Sequence, residues 1–279
     1  MNSGALFTNG QVNVVRIVWM MVALILALMT IFPLIWMISI AFKAPTEVFQ
    51  PHLLPKAPSF RNILYVLTEV PFVRYMLNSF FVSAVVTIVA LFFHTMAGYA
   101  LARLRFPGRE TLFILMFSTF LVSLPVIIVP LFIEVRAMGM LNSYSGLIIP
   151  SIFNAFGIFL LRQFYLSIPR ELEEAALIDG AGYWRIYRSI ILPLSRPIVA
   201  ALAILFFLAN WNSFLWPLTV AADDRLWMVQ VGIANFHNQY SASWNYIMAA
   251  SVIVAAPMLV VFVVFQRQIM ESIKTSGLK

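Results

Sequence analysis

The chain has 279 residues, of which 62% are hydrophobic and only 10% are charged, and its mean hydropathy is +0.92. Because soluble domains average about 25% charged residues, this composition excludes an ordinary soluble enzyme and a disordered protein. The net charge of +7 comes from Lys and Arg residues that stand singly or in pairs between long uncharged stretches, which argues against a nucleic-acid-binding surface.

Long uncharged windows predict membrane helices, since about 20 apolar residues cross the hydrocarbon core of a bilayer. The runs are continuous rather than alternating, which favours helices over barrel strands. No small-x-small cleavage site follows Ile40, so the first window indicates a permanent helix rather than a signal peptide. We therefore expect an all-α polytopic membrane protein, with one transmembrane domain over residues 1–279 and six spans. The predicted spans are 17–40, 76–102, 111–133, 141–161, 198–220 and 246–265.

The basic residues are unevenly divided between the two sides of the membrane. With both termini in the cytoplasm, two thirds of the 18 Lys and Arg residues lie on the inner side. This bias follows the positive-inside rule and predicts cytoplasmic termini. Of the connecting segments, the Pro-rich outer stretch 41–74 is expected to be extended apart from a short interfacial helix at 59–67. The inner stretch 104–110 (LRFPGRE) is expected to form a tight turn.

Residues 162–196 are too long for a simple loop and predict a structured elbow on the cytoplasmic face. We expect a first short helix that is capped by Ser167 and has an acidic first turn. Gly180 is well suited to the left-handed turn that ends such a helix. A second helical stretch, GYWRIYRSII, should end near Pro193 and Pro197. The elbow suits either a partner-binding site or a helix lying among lipid headgroups.

The segment 174–193, EAALIDGAGYWRIYRSIILP, resembles the EAA signature of permease subunits of bacterial ABC importers. The resemblance extends over most of the chain. The chain is most similar to carbohydrate-uptake permeases related to the second maltose permease subunit. It includes ISIAFK, GYALARLRFPGR, NWNSFLWPL and the C-terminal SGLK. The signature residues in register are Glu174, Ala175, Ala176, Gly180, Ile190, Leu192 and Pro193, with Asp179 and Ala181 matching the common Asp-Gly-Ala form.

The resemblance implies that the segment is a coupling helix that docks on a separate cytoplasmic ATPase subunit. Glu174 would pair with a basic group there, Ala175 and Ala176 would permit close packing, and Gly180 would set the elbow. It further implies a bacterial or archaeal cytoplasmic membrane, a second permease subunit as heterodimer partner, two ATPase subunits and an extracytoplasmic solute-binding protein. ATP and Mg would be bound by the ATPase subunits, and no cofactor by this chain. The outer segments 41–74 and 223–245 are candidate contacts for the binding protein.

Other functional classes require features that the sequence lacks. There is no G-x-x-x-x-G-K-[ST] run, so the chain has no phosphate-binding loop of its own and no catalytic residues are assigned. A secondary transporter would need charge within its spans, where His94 is the single titratable candidate and is more typical of a helix interface. A lipid-modifying enzyme would need clustered Asp, His or Arg at a membrane face. The chain has no Cys, and its three His residues are far apart, so no metal site is expected.

Four polar or aromatic residues in the spans are candidates for the translocation path. Asn amides beside an aromatic ring suit sugar hydroxyls and the face of a pyranose. The alternative is interhelical hydrogen bonding, worth about 0.6 kcal/mol on average in a membrane, and we favour it. The family resemblance also places most sugar contacts in the other permease subunit. The candidates are Asn154, Asn210, Trp211 and Asn212.

Overall fold

The computed structural model describes residues 9–239 and 243–276, and over those residues every regular element is helical. The all-α prediction is therefore confirmed. Short 3₁₀ turns lie at Pro45–Glu47, Thr119–Leu121 and Asp224–Leu226. The helices are α1 (Asn9–Ala41), α2 (Arg61–Thr68), α3 (Phe72–Arg103), α4 (Arg109–Ser118), α5 (Leu124–Ala137), α6 (Tyr144–Ile152), α7 (Ala155–Ser167), α8 (Glu171–Ile178), α9 (Tyr183–Leu194), α10 (Arg196–Trp211), α11 (Leu215–Val220), α12 (Val229–Gln239) and α13 (Trp244–Ser276).

Three helical segments within the described part of the chain are long and apolar enough to span a membrane: Arg16–Ala41, Phe72–Arg103 and Tyr144–Ser167. Two bent pairs, α4 with α5 and α9 with α10, raise that number to five if each pair is one span. A shorter apolar helix, Trp244–Val260, lies at the last predicted span. The chain is therefore a multi-pass membrane protein.

The third predicted span is not one straight helix in the structure, because α4 and α5 meet at an angle of 104°. Ser123 has extended backbone, and Pro125 stands in the first turn of α5, where its missing N–H leaves no helical bond unmade. The predicted fourth span breaks at Phe153 and Asn154. The predicted fifth span is interrupted between Trp211 and the start of α11. The length of an uncharged segment predicts that it can span the membrane, but it does not show where the helix is interrupted.

The described residues before Pro71 and those within Phe236–Ile253 form one compact unit. The short helix predicted at 59–67 is present as α2, whose buried Asn62 donates a hydrogen bond to the carbonyl of Lys43 at 2.9 Å. Asn245 donates to Asn62 Oδ1, also at 2.9 Å. Lys43 is itself buried and donates to the carbonyl of His52. These paired polar groups tie the Pro-rich segment to the end of α1.

Pro71–Asn235 and the described residues after Ile253 form the second unit, which contains the elbow. Its core brings the ends of α3, α7 and α10 together with α9. Its fully buried members are four aliphatic residues and one tyrosine: Ala102, Leu161, Tyr165, Ile191 and Leu202. Ala176 of α8 and Ala181 pack against this cluster from outside. The elbow therefore packs against a core built from membrane helices.

Candidate coupling site

Helix α8 begins later than the sequence predicts. Ser167 is the last residue of α7, and its hydroxyl donates back to the carbonyl of Phe164 at 2.7 Å, so it does not cap α8. The N-cap is Arg170, which makes no side-chain capping bond. Glu171, Glu173 and Glu174 occupy the first turn as predicted, where negative charge is favourable. The acidic turn therefore replaces a side-chain cap at this helix start.

The end of α8 is a Schellman motif. The amide of Gly180 donates to the carbonyl of Leu177 at 3.0 Å, and that of Ala181 donates to the carbonyl of Ala176 at 2.9 Å. Gly180 has a φ of +78°, which confirms the left-handed turn expected of it. Asp179 is the C-cap and is exposed. Because only glycine adopts this φ without strain, Gly180 fixes the angle at which α8 meets the next segment.

The two faces of α8 differ in exposure. Glu171, Glu174, Ala175 and Ile178 are spaced i, i+3, i+4 and i+7 along the helix and are all exposed, whereas Ala176 is half-buried against the core. Ile178 is 86% exposed. Of the apolar residues predicted to share a face, Leu172 and Ala175 are exposed, and Ala176 packs against the core. Sequence reasoning missed Ile178, although its i+4 spacing from Glu174 marks it as part of the same exposed face.

Arg103 joins α8 to the ends of two membrane helices. Its Nη2 donates to the carbonyl of Tyr165 at 2.5 Å and also to that of Ile168. Its Nε lies 2.9 Å from Glu173 Oε1, with the two side chains only 4% and 12% exposed. One guanidinium thus connects the last residue of α3, the end of α7 and the first turn of α8.

Burial raises the pKa of Glu173 above its usual value, while the neighbouring Arg103 and Arg170 act in the opposite direction. Desolvation penalises a carboxylate, and a nearby cation stabilises it. The raised pKa shows that burial outweighs the pairing. Glu173 is therefore a buried group that positions the first turn of α8 against Arg103.

A second ion pair, between the buried Arg162 of α7 and the exposed Glu110, fixes the start of α4 to α7. Arg162 Nη2 donates to both carboxylate oxygens of Glu110 at 2.9 and 2.8 Å, and its Nε donates to the carbonyl of Leu101 at 3.2 Å. The guanidinium carbon lies 3.9 Å from the centroid of the Phe113 ring. The predicted Pro-Gly turn is confirmed, with Gly108 at a φ of +78°. The C-terminal parts of α3 and α7 and the start of α4 are thus connected.

Helix α9 attaches the elbow to the core. Tyr187 and Thr95 hydroxyl oxygens are 2.8 Å apart, and Ile186 and Ile191 are buried. The backbone takes a π-helical turn over Tyr187–Ile191, immediately before Pro193. Pro193 has no N–H to give to the preceding turn, and a widened turn accommodates its ring. As predicted, α9 ends next to Pro193, at Leu194, and the chain bends by 75° between α9 and α10.

The translocation-path candidates are not gathered at one place by any hydrogen bond among the described residues. Asn154 caps α7, accepting from the amide of Gly157 at 3.1 Å. Asn210 and Asn212 each donate to a carbonyl four residues earlier on α10. Trp211 is 2% exposed. These side-chain bonds lie within single helices or their caps, and in the described part of the chain only Asn212 also bonds to another helix, accepting from Gln230 at 3.1 Å. A role in solute binding stays a prediction.

His94 supports the break between α6 and α7. Its Nε2 accepts from the backbone amide of Asn154 at 3.2 Å, which satisfies a group that the broken helix leaves free. Its ring lies edge-on to Phe206 at 5.5 Å. A side chain on Gly157 would come within 2.4 Å of the Phe206 ring, so glycine is required for this packing. His94 thus occupies a helix interface, as expected.

Residues 94–274 match the family described as the binding-protein-dependent transport system inner membrane component. The arabinooligosaccharides transport system permease protein AraQ of Halalkalibacterium halodurans is 32% identical, and the alignment covers 91% of this chain and 93% of the relative. The diacetylchitobiose uptake system permease protein NgcG of Streptomyces coelicolor is 35% identical, covering 88% and 83%. The sn-glycerol-3-phosphate transport system permease protein UgpE of Brucella abortus is 33% identical, covering 85% and 88%.

Among solved structures, a chain of a bacterial ABC transporter involved in the import of the acidic polysaccharide alginate superposes with a TM-score of 0.83. The two are 25% identical, and the match covers 94% of this chain and 99% of that one. These similarities are to transport permeases, not to enzymes, and the alternatives of a secondary transporter and a lipid-modifying enzyme are not favoured. The chain belongs to the binding-protein-dependent transport system inner membrane components and is a permease subunit of an ABC importer.

Proposed function

We propose that this permease imports an oligosaccharide or a phosphorylated polyol and is driven through α8 by a separate ATPase subunit. The substrate class is supported by the names of its relatives, which transport arabinooligosaccharides, diacetylchitobiose and sn-glycerol-3-phosphate. The predicted spans carry no charged side chain, which makes a polyhydroxyl compound a better candidate solute than an inorganic ion. Direct measurement of ligand binding by the partner solute-binding protein would identify the solute.

The observation that carries the coupling proposal is the construction of α8. Its outer face presents Glu171, Glu174, Ala175 and Ile178 to the surroundings. Its inner face is held by Glu173 and Ala176, and its end by the turn at Gly180. A short helix that is packed on one face and exposed on the other can pass a displacement of a bound partner to the core of the membrane domain. An exposed isoleucine on its outer face supplies the apolar anchor typical of a protein interface.

We further propose the assembly and orientation that such a helix requires. The chain pairs with a second permease subunit and with two ATPase subunits that bind ATP and Mg, and it receives solute from an extracytoplasmic binding protein. Both termini and α8 lie in the cytoplasm, and six spans cross the membrane. The outer segments 41–74 and 223–245 face the binding protein, although residues 240–242 of the second segment lie outside the described part of the chain.

Site-directed crosslinking tests both the docking and the orientation, and the chain is suited to it because it contains no Cys. Ala175→Cys should crosslink to an ATPase subunit and react with thiol reagents only from the inner side. Leu54→Cys, at a residue that is 77% exposed, is the matched control and should react only from the outer side. A crosslink from Leu54→Cys to the ATPase, or labelling of Ala175→Cys from outside, would reject the proposed orientation.

A further inference from the structure

A cavity of about 660 Å³ lies beside the coupling site, where α3 ends and α4 begins, and the coupling function leaves it without a role. Its wall carries four arginines and a single acidic residue. The polar residues lining it are Arg103, Arg105, Arg109, Arg170, Glu110 and Thr111. A cavity with this composition favours an anionic occupant.

Glu110, which lines the cavity, and Glu173, which lies beside Arg103, are already paired. Glu110 binds Arg162 through both oxygens and also accepts from Arg109 at 2.9 Å, while Glu173 pairs with Arg103. Arg105 and Arg170 are both exposed. Within residues 9–239 and 243–276, neither guanidinium has a carboxylate within 4.0 Å of its nitrogens. The cavity therefore keeps positive charge that the described chain does not neutralise.

The donors around the cavity suit a tetrahedral oxyanion. Guanidinium groups bind phosphate through two parallel hydrogen bonds. Thr111 adds a hydroxyl, and the first intrahelical bond of α4 is donated by Leu112 to the carbonyl of Gly108. The backbone amides of the three residues before Leu112 thus have no intrahelical partner. These N–H and O–H groups are the donors that the cavity wall offers to phosphate oxygens.

The position of the cavity indicates the source of the phosphate. Arg103 is the last residue of the apolar segment Phe72–Arg103, so the cavity lies at the level where a membrane helix ends. Phe106 and Pro107 add apolar surface to its wall. Basic pockets at such membrane boundaries bind anionic lipid headgroups. We propose that this cavity binds the phosphate of an anionic phospholipid, with Arg105 and Arg170 as the two free clamps.

Occupancy would bring the lipid against the coupling helix. Arg170 is the N-cap of α8, and Arg103 holds Glu173 in its first turn. A bound phosphate would thus stabilise the first turn of α8 at the membrane surface. This consequence for transport rests on the proposed function, whereas binding of the lipid does not.

Native mass spectrometry of the full-length chain in detergent tests binding without any transport reaction. Phosphatidylglycerol should be retained in preference to phosphatidylcholine. The double variant Arg105→Gln/Arg170→Gln should lower phosphatidylglycerol affinity about thirtyfold, since each arginine near an anionic headgroup contributes a factor of about five. The control Arg185→Gln/Arg188→Gln removes the same charge from exposed residues of α9 and should retain the lipid. Circular dichroism of each variant verifies its folding.

Three results would overturn binding of a phospholipid in this cavity. Equal loss in both double variants would mean that net charge, rather than the cavity, holds the lipid. Unchanged affinity in Arg105→Gln/Arg170→Gln would show that the two free arginines do not clamp a headgroup. Release of the lipid by millimolar inorganic phosphate, with equal retention of that ion, would assign the cavity to free phosphate instead. None of these results bears on whether the chain is an importer permease.

Discussion

Arg103 and Glu173, separated by 70 positions in the sequence, form a buried ion pair at 2.9 Å that fastens the first turn of α8 to the end of α3. The same guanidinium holds the carbonyls of Tyr165 and Ile168 at the end of α7. These contacts link α8 directly to the ends of two membrane helices. This pair is the structural basis for expecting that force on α8 reaches the membrane domain.

Substitution of Arg103 should lower the free energy of unfolding substantially. Arg103→Gln leaves the Glu173 carboxylate mostly buried without its cation and two carbonyls without their donor, and breaking such a pair costs about 3–5 kcal/mol. The free energy of unfolding in detergent measures this loss. Arg109→Gln is the control, because its pair with Glu110 is more exposed and should contribute less than about 1 kcal/mol. Equal losses in the two variants would contradict the anchoring role of Arg103.

The stability contributed by Glu173 should depend on pH. Because burial raises its pKa, the folded chain holds a proton on this carboxyl more tightly than the unfolded chain does. That contribution is complete below the ordinary pKa of 4.5 and is lost as pH rises through the raised value. Unfolding measured between pH 4 and 7 should show this fall, and Glu173→Gln should remove it. An identical pH slope in Glu173→Gln would refute the assignment.

Two glycines on either side of the elbow provide a matched test of its angle. Gly180 has a φ of +78° and Gly182 one of −75°, and no atom lies within 4 Å of a methyl group placed on either. Gly180→Ala should cost about 1–2 kcal/mol from backbone strain and impair uptake. Gly182→Ala should be neutral or slightly stabilising. Similar thermal unfolding and uptake for the two variants would show that the left-handed turn does not set the elbow.

Two isoleucines near the elbow separate docking from folding. Ile178 is 86% exposed and Ile186 is 1% exposed. Ile178→Ala should weaken association with the ATPase subunit and leave unfolding unchanged, because its side chain makes few contacts within the chain. Ile186→Ala should destabilise by about 2–5 kcal/mol. Co-purification of the ATPase together with thermal unfolding distinguishes them, and unweakened association in Ile178→Ala would exclude it as an anchor.

Local patterns anticipated much of the elbow, while long-range pairing lay beyond them. The acidic first turn of α8 and the role of Gly180 follow from helix-end chemistry that depends on adjacent residues. Ser167 was wrong as the cap because α7 extends through it, and a capping residue alone does not reveal where the preceding helix stops. The pairing of Arg103 with Glu173 depends on how α3 and α8 meet in space, which no short spacing encodes.

In the membrane helices, too, local sequence predicts some features, while others depend on contacts between distant residues. Hydrophobic length correctly located apolar segments, since the bilayer thickness sets that length. The bend of 104° between α4 and α5 escaped prediction because the backbone groups around Ser123 are compatible with either a continued or a broken helix until neighbouring elements pack. The support that His94 gives to Asn154 likewise depends on contact between two helices.

ATP-driven solute uptake by the assembled importer carrying Glu174→Lys tests the coupling role of α8 most directly. Glu174 is exposed on the outer face of α8 and makes no ion pair within the described residues, so its substitution should leave folding and membrane insertion intact. We predict that the variant reaches the membrane in normal amount and that uptake is abolished. Normal uptake at normal abundance would contradict the assignment of α8 as the coupling helix.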